Sequence, residues 1–381
     1  MAHGAVHNLF VGNLRPPASI YALEFNDETN DFKLLKNNTA DASHAWITFD
    51  YAKKNIYGSS LNETRIASYS VLNATTVELT RNISATGDCF NTTSAFVTAM
   101  PNPPYHVFTG SWPSPNACGM SLSTSDTGAL TNILSTWTYT NESGIHGLAL
   151  SPRTTPSNTT TTPPQPQLLY SADLNGDLLW THAINLTTGA ATEVARFSMP
   201  GAAGAHPRHL AAHPNGARLY AVMEADNTVA EYVLDPATGA VTKEVVRHSL
   251  LPIEADTERY WSAEVMLSAS GRYLWASVRA KEEEDTGFVA VFLVGADGGI
   301  VKKMFRVPTT TKGGKANAVS PAFWDDEYAA MTDYGEGYVL MWRMDGKRER
   351  PDGLIEYSSA KAVAKVDVKD GGCCANAIWY S

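Results

Sequence analysis

At 381 residues, 44% of them hydrophobic and 18% charged, the chain can bury a large core, either in one closed all-β domain or in two ordinary ones. A formal net charge of −10 with scattered Lys and Arg argues against a nucleic-acid partner. No apolar run reaches the roughly 18 residues of a membrane span, and the opening MAHGAVHNLFVGN is too short and too polar for a signal peptide.

Taken in order, the chain is a succession of short apolar runs separated by turn residues. His7–Asn13, Ser19–Asp27 and Phe32–Asn37 come first, and a hairpin-like unit then begins at His44. Similar units begin at Ser94, Gly144, Ala205, Trp261 and Lys315, spaced roughly fifty residues apart, the signature of a blade repeat. The unit Ala205–Val241 shows the pattern best, with breakers at His213–Gly216, Glu224–Asn227 and Asp235–Gly239 between its strands. The C-terminal Cys373–Ser381 reads as the first strand of a seventh unit whose other strands are the N-terminal ones. The expectation is a single domain, 1–381: an all-β, seven-bladed β-propeller closed by pairing of N- and C-terminal strands. Alternation in Ala217–Met223, Gly271–Val278 and Tyr338–Met344 fits strands. Two stretches break the rhythm: a Thr/Pro-rich loop over 152–167, and the charge run Lys281–Gly287, read as a solvated hairpin tip.

In an antiparallel pair joined by a short turn, the start of the first strand lies beside the end of the second. Applied to every unit, this rule brings His44, Trp46, Ser94, His146, His206, Arg208, Glu264, Asn317 and Asn376 to one mouth of the ring. Ser59, Asp173, Glu224, Arg279 and Asp333 arrive there from the second strands. Tyr334 and Trp46 offer apolar wall. A histidine, two guanidiniums that can fork onto a carboxylate or enolate oxygen, and a carboxylate make an acid/base and oxyanion site for a small-molecule substrate. No metal-ligand spacing, Gly-rich dinucleotide motif or serine elbow is present, so cofactor-free chemistry without a metal is expected. Composition leaves the oligomeric state open.

Eight N-x-S/T triplets, at Asn37, Asn62, Asn73, Asn82, Asn91, Asn141, Asn158 and Asn185, exceed the about three or four that chance gives a Thr-rich chain. They point to a secreted or secretory-pathway glycoprotein whose leader is not among these residues; a cytoplasmic enzyme is the alternative. The cysteines Cys89, Cys118, Cys373 and Cys374 read first as free or structural thiols, with a Cys89–Cys118 disulfide as the other reading.

The segments Gly144–Gly147, His206–Arg208 followed by His213–Gly216, Leu219–Asn227, Arg279–Ala280, Asn317–Pro321 and Asn376–Tyr380 resemble, in order and spacing, the fungal 3-carboxy-cis,cis-muconate lactonizing enzymes, which are seven-bladed propellers. The resemblance covers nearly the whole chain. It implies that His146, Arg208, Glu224 and Arg279 are catalytic, the arginines holding carboxylates and His146 with Glu224 managing the proton. A second group in the same propeller family implies another activity. These are secretory-pathway hetero-Diels–Alder cyclases of fungal biosynthesis, which join a tropolone o-quinone methide to a humulene-type sesquiterpene. The sequons and the sparse cations around the mouth rank this cyclase first, the lactonizing cycloisomerase second and a non-catalytic binding scaffold third. Lactone hydrolysis is the weakest reading.

Overall fold

Short apolar runs bounded by turn residues become seven four-stranded antiparallel sheets, with one additional two-stranded hairpin, Arg348–Glu349 with Ile355–Glu356. The computed structural model describes residues 5–113, 117–152, 166–199, 204–312 and 318–381. Blade 1 is the composite one. Its inner strand is Cys373–Trp379, followed outward by Val6–Asn13, Ser19–Asn26 and Asp31–Thr39. The inner strands of blades 2 to 7 are Trp46–Phe49, Ser94–Ala99, Ile145–Leu150, Pro207–Ala212, Tyr260–Leu267 and Val319–Pro321.

Ring closure is antiparallel pairing of Leu9 with Trp379, Phe10 with Ile378 and Val11 with Ala377. The joined strands leave no open edge between the first and last blades. The expected seven-bladed ring and its terminal seam are therefore both present. Beside the seam, the Asn376 side chain clasps blade 2. Its Oδ1 accepts from Ile47 N–H at 2.8 Å and its Nδ2 donates to Ile47 O at 2.9 Å.

The core lies between blades rather than along a central axis. Between blades 1 and 7, Leu9, Tyr21, Leu23 and Phe25 meet Tyr328, Val339 and Met341; between blades 5 and 6, Tyr220, Val222 and Val229 meet Leu274, Ala276 and Phe292. Each blade is thus packed on both faces. This corrects the alternation expected of the second strands: every residue of Tyr273–Ala280 is buried, as are Leu219–Met223, because the sheet has no solvent side there. Outer strands such as Val77–Ser84 carry the exposed polar residues.

All four cysteines are paired, Cys89 with Cys118 across a Cα–Cα distance of 5.4 Å and Cys373 with its neighbour Cys374, so the free-thiol expectation is replaced. The Thr/Pro stretch leaves blade 4 between Ser151 and Gln167, which Gln167 Nε2 pins by donating to Ser151 O at 2.9 Å; residues 153–165 of it lie outside the described residues. Glu282–Glu284 are exposed at their hairpin tip, and Arg259 binds Glu284 at 2.8 Å and Asp285 at 2.6 Å. Asn37, Asn62, Asn73, Asn82, Asn91, Asn141 and Asn185 are all exposed, and Asn158 lies outside the described residues.

Candidate functional site

The inner strands of blades 3, 4, 5 and 6 share one irregularity near their starts. Pairing runs Ser94–Ser111 then Phe96–Gly110, Ile145–Asp173 then Gly147–Ala172, Pro207–Met223 then His209–Val222, and Ser262–Val278 then Glu264–Ser277. Each strand therefore carries one extra residue, a β-bulge: Ala95, His146, Arg208 and Ala263. A bulge bends its strand and re-aims a side chain. Ala95, His146 and Arg208 accordingly line a cavity of about 390 Å³ at the ring mouth, together with Glu224, Arg279, His209, Trp46, Trp112 and Trp261.

Close packing between blades 4 and 5 is possible only because Gly147 lacks a side chain. A Cβ there would stand 2.4 Å from Arg208 O and 2.8 Å from His209 Cα, both backbone atoms.

The charged part of the cavity is a carboxylate shared by two guanidiniums. Arg279 Nη2 donates to Glu224 Oε2 at 2.5 Å. Arg208 Nε lies 2.8 Å from the same oxygen, at an angle that makes it an ion-pair contact rather than a directed hydrogen bond. Arg208 Nη1 donates to Ala263 O, which fixes the guanidinium against blade 6. Burial, and next the adjacent Arg208 charge, bring the Arg279 guanidinium down to about 10. Trp261 lies over Arg279 at 5.3 Å from ring centroid to Cζ, and Lys281 Nζ sits 4.5 Å from the same ring. One carboxylate against two guanidiniums, one buried and one partly buried, leaves a surplus of positive charge, suited to an anionic substrate or oxyanion.

Beside this cluster runs a row of neutral groups. His146 Nδ1 meets His209 Nε2 at 3.1 Å, His209 Nδ1 meets Glu264 Oε2 at 2.7 Å, and Glu264 Oε1 accepts from Val265 N–H at 3.0 Å. Burial holds both imidazoles well below their usual range, with the Arg208 charge adding to it. Burial also pushes the Glu264 carboxyl up to about 8, against a smaller opposing pull from Arg208. The His209–Glu264 contact has the distance of a salt bridge, but burial favours the uncharged form of both partners, so it is a carboxyl–imidazole hydrogen bond.

That shift has a stability consequence. The folded chain holds the Glu264 proton up to about pH 8, whereas the unfolded chain releases it near 4.5, so this group makes stability fall as pH rises through that window. The two lowered imidazoles act oppositely, costing stability as pH falls below 6.5. Asp333, raised to about 7 by burial, adds to the fall but is common to wild type and variant. Between about pH 6.5 and 8, urea titrations are expected to show stability dropping more steeply in the wild type than in Glu264→Gln.

Of the residues expected from the sequence, His146, Arg208, Glu224 and Arg279 meet in one cavity, with Trp46 and Asn376 in its wall. Asn376 does not serve there as a substrate ligand, and the remaining described residues lie elsewhere. Both amide atoms of Asn376 are taken by Ile47, so it is a clasp. Glu264 stands behind His209 rather than in the cavity. His206 has a left-handed backbone, φ 57°, and its Nδ1 turns away to Leu174 O at 2.6 Å. Asp333 caps its own turn, accepting from Glu336 N–H at 2.8 Å, and Tyr334 lies near Arg15, 5.7 Å from ring centroid to Cζ. Asn317 lies outside the described residues. His209, Trp112 and Trp261 were missed. Trp112 directly follows the second strand of blade 3, Val107–Ser111, and could have been found by the rule that found Glu224.

Comparison with known proteins bears on this geometry. The chain is 35% identical to the carboxy-cis,cis-muconate cyclase of Neurospora crassa, over 98% of this chain and 99% of that protein. It is 25% identical to muconate cycloisomerase 1 of Cutaneotrichosporon cutaneum over 82% of this chain and 83% of the relative. The structure of the periplasmic gluconolactonase of Pseudomonas aeruginosa superposes with a TM-score of 0.74 at 16% identity, covering 98% of this chain and 99% of that one, which speaks for the fold alone. With the family model "Lactonase, 7-bladed beta-propeller" matching residues 8–322, and a full-length relative at 35% identity, the chain belongs to the lactonase family of seven-bladed propellers, whose relatives here are enzymes.

Proposed function

We propose that this chain is a lactonizing cycloisomerase acting on a carboxylated conjugated diene of the muconate type. The observation that carries the reading is the pair of guanidiniums, buried Arg279 and partly buried Arg208, converging on Glu224 beside His146. Arg208 and Arg279 hold substrate carboxylates, and Glu224 aligns the two forks. A carboxylate oxygen closes the ring by forming a C–O bond to one end of a double bond. The electron pair moves to the neighbouring carbon, which takes a proton from His146. The product carries one negative charge fewer, so one solvent proton is consumed per ring. Neither a metal nor an organic cofactor is needed for these steps.

The sequence ranked the hetero-Diels–Alder cyclase first, and the full-length relative supports the reverse order. The cyclase remains as a second reading because Trp46, Trp112 and Trp261 give the cavity an aromatic wall wide enough for an apolar partner. The deciding experiment offers purified protein 3-carboxy-cis,cis-muconate and follows loss of diene absorbance, with proton uptake measured in parallel. Turnover with one proton consumed supports the cycloisomerase. No turnover and no thermal shift with the muconate, alongside a shift with a tropolone, would replace it by the cyclase. The corresponding lactone, opened in water without ring closure of the diene, would mark a hydrolase.

The seven exposed sequon asparagines support passage through the secretory pathway. Protein secreted from a fungal host is expected to lose mass on endoglycosidase treatment, and an unchanged mass would favour the cytoplasmic alternative.

A further inference from the structure

We propose that His209 and Glu264 form with His146 a proton relay, which stores one proton in the cavity wall and decides whether His146 presents a donor or an acceptor to the substrate. The inference rests on the site described above and deepens the role given to His146.

The three groups form an unbranched row. Glu264 Oε2, His209 Nδ1, His209 Nε2 and His146 Nδ1 make two successive contacts of 2.7 and 3.1 Å. His146 Nδ1 is committed to His209, which leaves Nε2 as its ring nitrogen for the cavity that His146 lines. The row is buried: His146, His209 and Glu264 are 7%, 2% and 2% exposed. Aromatic rings shield it. Trp46 and Phe96 lie 4.8 and 5.2 Å from His209, and Trp112 lies 4.8 Å from His146. The charges facing it are those of Arg208 and Arg279, with Glu224 bridging both.

Two proton arrangements satisfy the same contacts. With Glu264 protonated, its O–H donates to His209 Nδ1, His209 Nε2–H donates to His146 Nδ1, and His146 carries its proton on Nε2, toward the cavity. With Glu264 ionised, one proton has left from His146 Nε2 and each of the other two has moved one place toward the cavity: His209 Nδ1–H donates to Glu264, His146 Nδ1–H donates to His209, and Nε2 offers a lone pair. The positive charge of Arg208 and Arg279 opposes an imidazolium in either ring, so both rings stay neutral while the row as a whole gives up one proton and the negative charge appears on Glu264. A neutral imidazole alone is a poor acid. Backed by Glu264, His146 gives its Nε2 proton to the substrate carbon while His209 passes a proton to His146 Nδ1 and Glu264 passes its own to His209. The products are the protonated carbon and the Glu264 carboxylate. A proton from water, taken at His146 Nε2 after product release, reverses the shift and restores the store. His209 and Glu264 are positioning residues in this scheme, since only His146 hands a proton to the substrate.

The proton held near neutral pH fits this role, because burial has already raised the Glu264 carboxyl to about 8. A purely structural hydrogen bond to His209 would be served as well by glutamine.

The test is ¹⁵N NMR of histidine-labelled, ligand-free protein, which separates the two imidazole tautomers from the imidazolium. In the wild type, His146 and His209 are expected to exchange tautomers together as the pH is raised through about 8, with neither ring becoming an imidazolium in that range. Glu264→Gln is expected to hold both rings in one tautomer throughout, and His209→Gln to leave His146 without the transition. Rings that keep one tautomer across this range in the wild type, or that titrate singly, would overturn the relay. This readout needs no substrate, so it stands even where the muconate is not turned over. Where the muconate does react, Glu264→Gln should lower kcat by about 10²-fold with KM nearly unchanged, and should remove the alkaline limb of the kcat profile. A Glu264→Gln enzyme with wild-type kcat at every pH would also overturn it.

Discussion

Replacing Arg208 with methionine is expected to lower kcat for the muconate by about 10³-fold, at the upper end of what removing one oxyanion donor costs. The size follows from what the guanidinium touches. It is one of two positive groups at Glu224, it reaches the cavity directly, and it holds the Ala263 carbonyl of the next blade. Methionine fills similar space, but it leaves Glu224 with Arg279 alone and Ala263 O without the Arg208 donor. Lysine should recover little, because one ammonium cannot serve Glu224, Ala263 O and a substrate carboxylate with the geometry of a fork. Steady-state rates of the three proteins, with melting curves to show that each folds, test this. Wild-type rates in the methionine variant would remove Arg208 from the machinery.

Gly147→Ala is expected to destabilise the fold by about 3 kcal/mol and to disturb the site as well. The added methyl would meet Arg208 O at 2.4 Å and His209 Cα at 2.8 Å, and backbone in a strand cannot swing aside as a flexible side-chain end can. The inner strands of blades 4 and 5 must therefore separate, which pulls His146 away from His209. A lower urea midpoint together with loss of turnover is the predicted pair of effects. Loss of activity at unchanged stability would mean that the strands part without cost.

The propeller was legible because its evidence is distributed. Six units of similar spacing and a C-terminal strand in need of partners leave little choice of architecture, and the seam pairing of Leu9 with Trp379 follows from it. The charged part of the site was legible for a geometric reason, since second-strand ends and first-strand starts must share a mouth. That rule carries no information on side-chain length. Glu224 and Arg279 are long enough to leave the backbone and enter the cavity, whereas Asp173 and Asp333 fold back onto the N–H groups of neighbouring turns, as short Asx side chains do. Nor does it register a bulge. Strict alternation puts Arg208 and His209 on opposite faces; the extra residue lets both line the cavity, and this hid the histidine row. The Cys89–Cys118 pair was one of two readings the sequence left open, since spacing alone does not reveal which strands lie side by side, and the bond between the neighbours Cys373 and Cys374 was not anticipated.

The bulge also bears on how such a ring acquires chemistry. Blades 3, 4 and 5 offer the same backbone socket, filled by a methyl at Ala95, an imidazole at His146 and a guanidinium at Arg208. Sheet pairing does not depend on which side chain occupies it, so the occupants are exchangeable parts on a fixed chassis. Ala95 is then a vacant tool holder. A cation or a general base placed there would reach the same chamber without redrawing any strand.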